Sequence, residues 1–215
     1  DILQQCAKNY MALTHQQYRI IIGRKQQRHE IVLHFHPANF HHLAGLHKLT
    51  DVSQFQDKRR EDVLKKILAG AYSDADAHQS RYFSKIESRI RLVSDLESFL
   101  DTNNLIFHYD PQKNKGSLIQ ADYLLQNQWH SRQAYLFLVK RFPDSNECAC
   151  ESMFLRTGRD YTKGQQKFAL LYKEKTNLTT GTTIVQYDKL KKLRPVAAFF
   201  LRPAPPRNPV ERPKK

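Results

Sequence analysis

Apolar and polar positions along the chain change texture near residue 104. Before it they recur mostly at helical spacing, and after it they alternate in short runs. Ile2, Leu3, Cys6, Tyr10 and Leu13 fall near one face of a helix over residues 1–15. Tyr18 to Gly23 is a β-branched run and Arg24 to Arg28 a polar turn, so Glu30 to His36 reads as the return strand of a hairpin. A turn through Pro37 leads into a short helix with Asn39 as its N-cap. On that helix Phe40, Leu43 and Leu46 form the apolar stripe, and His42, His47 and Lys48 edge it. Gly45 is costly in a helix interior, by about 1 kcal/mol relative to Ala, which implies close approach of another backbone or a ligand. Val63, Leu64, Ile67 and Leu68 predict a helix over Asp57–Ala71. Phe83, Ile86, Ile90, Val93, Leu96 and Leu100 predict a longer one over Asp76–Leu100, stopped by Asp101-Thr102-Asn103-Asn104.

The second half predicts strands at Leu105–Tyr109, Ser117–Leu125, Arg132–Lys140, Cys148–Arg156, Lys167–Lys175 and Thr182–Tyr187, separated by polar turns. Short strands on short turns are best built as an antiparallel meander. The expected fold is therefore α+β, with a helical N-terminal half that carries a hairpin and packs on a C-terminal antiparallel β-meander. One domain would span residues 1–192. Residues 193–215, with Arg202-Pro203-Ala204-Pro205-Pro206-Arg207, would form a basic, Pro-rich, extended tail.

Charge sharpens this picture. The net charge is +14, and residues 189–215 hold nine Lys or Arg against Glu211 alone, so that stretch carries +8 and the rest of the chain +6. A basic body with a more basic tail suits a polyanionic partner, most simply nucleic acid. No apolar run approaches the ~20 residues of a membrane span, and no signal-peptide pattern opens the chain, so no membrane partner is expected. Three cysteines, Cys6, Cys148 and Cys150, are too few and too oddly spaced for a disulfide scaffold and suit a reducing cytoplasm.

Four of the ten histidines lie between Phe35 and Asp51, which concentrates titratable groups in one stretch. His34 and His36 would share one strand face, a spacing able to hold a metal ion, with His41 or His42 as a third ligand. Adjacent His41 and His42 point to different sides of a helix, no H-E-x-x-H is present, and Cys148-Ala149-Cys150 is too short for the usual ligand pair. No metal site and no cofactor are therefore expected. No phosphate-cradling glycine loop and no nucleophile signature occur, which ranks nucleotide hydrolases, dehydrogenases and Ser or Cys hydrolases low. Acid, base and cation remain, and they suffice to cleave RNA. The 2′-hydroxyl attacks the adjacent phosphorus once a base takes its proton, an acid protonates the leaving 5′-oxygen, and a cation steadies the phosphoryl charge. His42, His47 and Lys48 on one helix, and Tyr172, Lys173 and Lys175 on a late strand, are the right types. Five positions on a helix separate His42 from His47 by about 140°, so the two would not both face one cleft, and His42 is favoured with a partner from the late strand.

Three segments carry a resemblance. They are Phe40-His41-His42-Leu43-Ala44-Gly45-Leu46-His47-Lys48-Leu49, then Ser117-Leu118-Ile119-Gln120-Ala121-Asp122-Tyr123-Leu124-Leu125, then Leu170-Leu171-Tyr172-Lys173-Glu174-Lys175. In this order they resemble the fourth phage barnase/EndoU/colicin/RelE-like (PBECR) nuclease family, over roughly Tyr18 to Asp188. The resemblance implies a barnase/RelE-like fold, with helices on a meander of about four strands and the active site on its open face. It implies a metal-independent endoribonuclease acting on tRNA or mRNA, a cytoplasmic toxin or effector in conflict between bacteria and mobile elements, with an antitoxin or immunity protein as a further partner. Carried over by position, His42, Gly45, His47, Lys48, Tyr172 and Lys173 are motif residues. Tyr161 and Gln166, with Arg156 and Lys175, would contact RNA. The alternative is a catalytically inactive nucleic-acid-binding or host-factor-blocking module on the same fold.

Overall fold

Strand β1 (Gln16–Arg24) turns into β2 (Gln27–His34) through only two residues, with Arg24 paired to Gln27. Lys25 and Gln26 both take left-handed backbone, φ 46° and 69°, the geometry whose twist matches two flanking strands. The hairpin predicted from sequence is therefore present, but it does not stand apart from the later strands. The computed structural model describes residues 1–56 and 59–193. It joins all eight strands into one sheet.

Strands β3 (Leu105–His108), β4 (Tyr123–Trp129), β5 (Arg132–Lys140) and β6 (Glu147–Leu155) are successive antiparallel neighbours. β6 then pairs with β2 through three residue pairs, the single parallel contact among the described strands. On the other side β7 (Gln166–Asn177) pairs with β3 near its start and with β1 along the rest. This closes the sheet into a barrel, and β8 (Thr183–Asp188) is added along the second half of β7. The expectation of a meander confined to the second half is corrected accordingly. Closure satisfies backbone groups that an open meander would leave on its edges, and the hairpin supplies the missing strands.

One face of the barrel strands, including Tyr18, Ile20, Leu33, Leu125, Leu136 and Leu155, joins the buried faces of the helices in a single core. The helices are α1 (Ile2–Leu13), α2 (Pro37–Leu43), α3 (Arg60–Leu68), α4 (Asp74–His78), α5 (Glu87–Ser94) and α6 (Leu96–Asp101). A second, smaller cluster of Phe107, Tyr109, Leu124, Tyr135 and Phe137 lies on the opposite face of β3–β5, covered by Ile119, Phe154 and Tyr161.

The single helix expected over Asp76–Leu100 is broken into α4, a 3-10 turn at Phe83–Lys85, α5 and α6. The apolar spacing persists because every piece buries the same side, and local bonds decide the breaks. Ser80 donates to Asp51, Ser73 and Asp76 form a capping box at α4, and Trp129 donates its indole N–H to Asp95 between α5 and α6. The strand expected from Ser117 begins only at Tyr123, leaving Leu118 almost wholly exposed on a loop. Pro37 opens α2, so the cap position is His36 rather than Asn39. Asn39 instead donates its side-chain amide to the Cys150 carbonyl, tying α2 to β6. The expected Asp57–Ala71 helix runs from Arg60 to Leu68. Residues 57 and 58, and the expected tail from residue 194 onward, lie outside the described residues. Among the described residues no helix is long and apolar enough to cross a membrane.

Candidate active site

Gly45 decides the local geometry. It has φ +80°, ends α2 two residues after Leu43, and starts a 3-10 turn over Leu46–Lys48. It is thus a helix break and not a helix interior, and the left-handed backbone explains the glycine directly. A second constraint acts from outside. A Cβ here would lie 2.9 Å from Arg89 Cδ and 3.0 Å from Ile86 Cγ2, so the missing side chain is what lets α5 close on the turn.

The break also overturns the expected separation of the two imidazoles. His42 and His47 stack with ring centroids 4.4 Å apart and planes 9° apart, and both line one cavity. His41 points elsewhere, with its Nε2 2.7 Å from the Phe55 carbonyl. The cavity has a volume of about 600 Å³ and lies between α2, α5, β6 and the loops at Leu118 and Tyr161. Besides the imidazoles its polar wall holds Lys48, Lys85, Arg89, Glu151 and Ser152, and its apolar wall includes Ile119, Phe154 and Tyr161.

Arg89 is only 8% exposed, and among the described residues no carboxylate or carbonyl partners its guanidinium. It lies 5.6 Å over the Phe154 ring. A buried cation without a counter-charge is costly, and burial already pulls this one down to about 10. His42, His47, Lys48 and Glu151 shift in the same sense, toward the uncharged form. Burial lowers His42, with Arg89 adding to it, and burial with Arg89 and Lys85 lowers Lys48. Burial raises the Glu151 carboxyl. His47 is pushed down to about 4, first by burial and then by His42, Arg89 and Lys48, and its Nδ1 is buried with no hydrogen-bond partner among the described residues. The cavity is desolvating and short of negative charge, the condition an anionic ligand would relieve.

The shift at His47 gives a testable pH dependence. Its folded pKa lies below the ordinary value near 6.5, so between pH 6.5 and about 4 the unfolded chain binds the extra proton. The stability contributed here is complete above pH 6.5 and lost as pH falls toward 4. Urea unfolding across that window is expected to show a shallower acid decline for His47→Gln than for the wild type. An identical decline in both would mean that solvent reaches the ring freely.

Glu151 owes its position to a bulge. Phe137 pairs with Ser152 while Leu138 pairs with Cys150, so Glu151 has no partner on β5 and turns toward the cavity. The sequence signal is a change of parity: Cys148 and Cys150 face the core, and then Met153 and Leu155 do. Arg89 had a signal too. It lies three residues after Ile86 and four before Val93, a charge on the apolar stripe of the predicted helix.

The other sequence candidates lie elsewhere. Lys173 is buried, donating to the carbonyls of Leu100 at 2.8 Å and Thr102 at 2.5 Å at the end of α6, and burial lowers its ammonium to about 8. Tyr172 donates its hydroxyl to Glu174, with Arg19 over its ring. Lys175 is held by Glu97 and Asp101. None of these three lines the cavity, so the expected partnership of His42 with the late strand is not formed. Arg156 pairs with Gln133 and Asp160 near the cavity rim, and Gln166 opens β7 opposite His108. Tyr161 does line the cavity, packed 5.4 Å from Phe154 and from Phe137. His34 is on β2 but His36 has left the strand, so that pair loses its shared face. Among the described residues no three His, Cys, Asp or Glu side chains group to hold a metal ion.

A cavity of paired imidazoles, crowded cations and one desolvated carboxylate coincides with the His-Leu-Ala-Gly-Leu-His segment, and residues 2–190 match a single family model. The chain belongs to the phage-Barnase-EndoU-ColicinE5/D-RelE like nuclease 4 family (PBECR4). Comparison with curated proteins and with solved structures finds no match. Membership in this nuclease-like family implies a nucleic-acid substrate, in keeping with the net charge of +14.

Proposed function

We propose that the protein is a metal-independent endoribonuclease that cleaves by 2′-hydroxyl attack, with the cavity around Arg89 as its active site. The observation that carries this reading is the buried Arg89 guanidinium, with no carboxylate or carbonyl partner among the described residues, on the same cavity as the stacked His42 and His47. A phosphodiester seated there would supply the missing counter-charge. Arg89, Lys48 and Lys85 would face its non-bridging oxygens, where negative charge grows in the transition state. Glu151, whose burial makes it a better proton acceptor than an ordinary carboxylate, would take the 2′-hydroxyl proton. The bound phosphate favours a proton on the imidazole pair, and the close stacking leaves room for one such charge. That proton would pass to the leaving 5′-oxygen, giving a 2′,3′-cyclic phosphate and a free 5′-hydroxyl. The three cations on the wall disfavour a divalent metal at the same place, which supports the metal-free form of the reaction.

The phage association in the family description supports a toxin or effector role, with tRNA or mRNA as substrate and an antitoxin or immunity protein as partner. The test uses total RNA in EDTA. Cleavage to 2′,3′-cyclic ends, with no cutting of a strand that has a single 2′-deoxy nucleotide at the cut site, is the expected result. Glu151→Gln should slow that cleavage at least about 100-fold, the usual range for loss of a positioned proton acceptor. RNA bound tightly but left intact would leave only the binding-module reading, and cleavage that needs added metal would overturn the metal-free mechanism.

A further inference from the structure

The tip of the β1–β2 hairpin carries a second cavity, of about 730 Å³, lined by Arg24, Lys25, Gln26, Arg28, Lys167 and an apolar floor of Phe168 and Leu171. No acidic residue lines it, and among the described residues none of its four cations has an ion pair. Glu30, the nearest acid along the hairpin, is already held by Arg19 and Asn146. Gly23 shapes the floor, because a Cβ there would lie 2.6 Å from Leu171 Cδ1. The turn is also built against local preference: Lys25 and Gln26 hold the left-handed positions where Asn and Gly are the favoured residues.

We infer that this groove is a second binding site for RNA, engaging a single-stranded stretch of the substrate remote from the cleaved bond. An apolar floor framed by four cations fits a strand that offers both flat bases and phosphates. The groove cannot be a rim of the active site. β2 and β6 run parallel with His34 opposite Ala149, so the hairpin tip and the Glu151–Ser152 bulge lie at opposite ends of that pair. Strand rise of about 3.3 Å per residue puts them on the order of 30 Å apart. An RNA must be several nucleotides long to reach both, so the groove selects for length or shape and leaves the chemistry to the first cavity. The inference rests on the nuclease reading for its substrate class, but its test does not need cleavage.

The probe is a fully 2′-O-methylated, uncleavable single strand of about 20 nucleotides, long enough for that span at roughly 3.4 Å per nucleotide. For the combined Arg24→Glu, Lys25→Glu and Arg28→Glu variant, affinity is expected to fall at least about 10-fold, and the log–log salt slope to flatten by about 2, near 0.7 per lost contact. Cleavage of a dinucleotide should stay at the wild-type rate. A gentler variant, Lys25→Asn with Gln26→Gly, should raise the melting temperature by relieving the turn while flattening the slope by about 0.7. Unchanged affinity and slope in both variants would overturn the inference. So would a groove that binds anionic lipid vesicles or an acidic peptide in preference to the RNA. If the wild type binds RNA through the hairpin yet cleaves none, the second site stands and the nuclease reading falls.

Discussion

Arg89→Met is expected to reduce RNA cleavage about 100- to 1,000-fold while leaving the protein as stable as the wild type or slightly more so. The two halves of this result have one cause. Arg89 is buried with no counter-charge among the described residues, so the folded protein gains little from the guanidinium and bears its desolvation. Met keeps most of the aliphatic stem that packs under Gly45, where Arg89 Cδ makes the close approach, and removes only the charge. The rate figure is that for losing one preorganised donor to a transition-state oxyanion. Steady-state cleavage and urea unfolding on the same preparation give both numbers. A marked loss of stability with cleavage kept per folded molecule would make Arg89 a packing residue and leave the cavity without its anion site.

Lys173→Met should behave in the opposite way. Its ammonium is the partner of the Leu100 and Thr102 carbonyls where α6 ends, groups that a helix leaves unpaired and that favour a nearby cation. Removing it strands the buried Leu100 carbonyl and deprives the part-buried Thr102 carbonyl of its donor, and is expected to cost about 3 kcal/mol, within the range for hydrogen bonds to a charged group. Activity per folded molecule should not change, since Lys173 does not reach the cavity wall. A variant with normal stability and lost cleavage would return the late strand to the chemistry.

The lysine and arginine cases show what one-dimensional reading could and could not separate. Lys173 and Arg89 are both cations in apolar surroundings, and only the partners found in three dimensions distinguish a helix-end anchor from a cation with no carboxylate or carbonyl partner among the described residues. The strands were legible because alternation is a local property of each run. All eight occur within a few residues of the predicted positions, except that β4 starts at Tyr123 and not at Ser117. The long helix was not legible as four pieces, because its breaks depend on Asp51 and Trp129, which are distant in sequence.

For the site, the chain by itself determined that His42, Gly45, His47 and Lys48 belong together, since a short segment cannot scatter them far. It also determined the polyanion preference, through charge, and the family, through the order of its segments. Barrel closure was decided only by the tertiary structure, because the three residue pairs between β2 and β6 join segments more than 100 positions apart. The stacking of the imidazoles was decided there as well. A continuous helix would turn His42 and His47 away from each other, and the left-handed Gly45, held under Ile86 and Arg89 by packing from α5, turns them onto the same cavity.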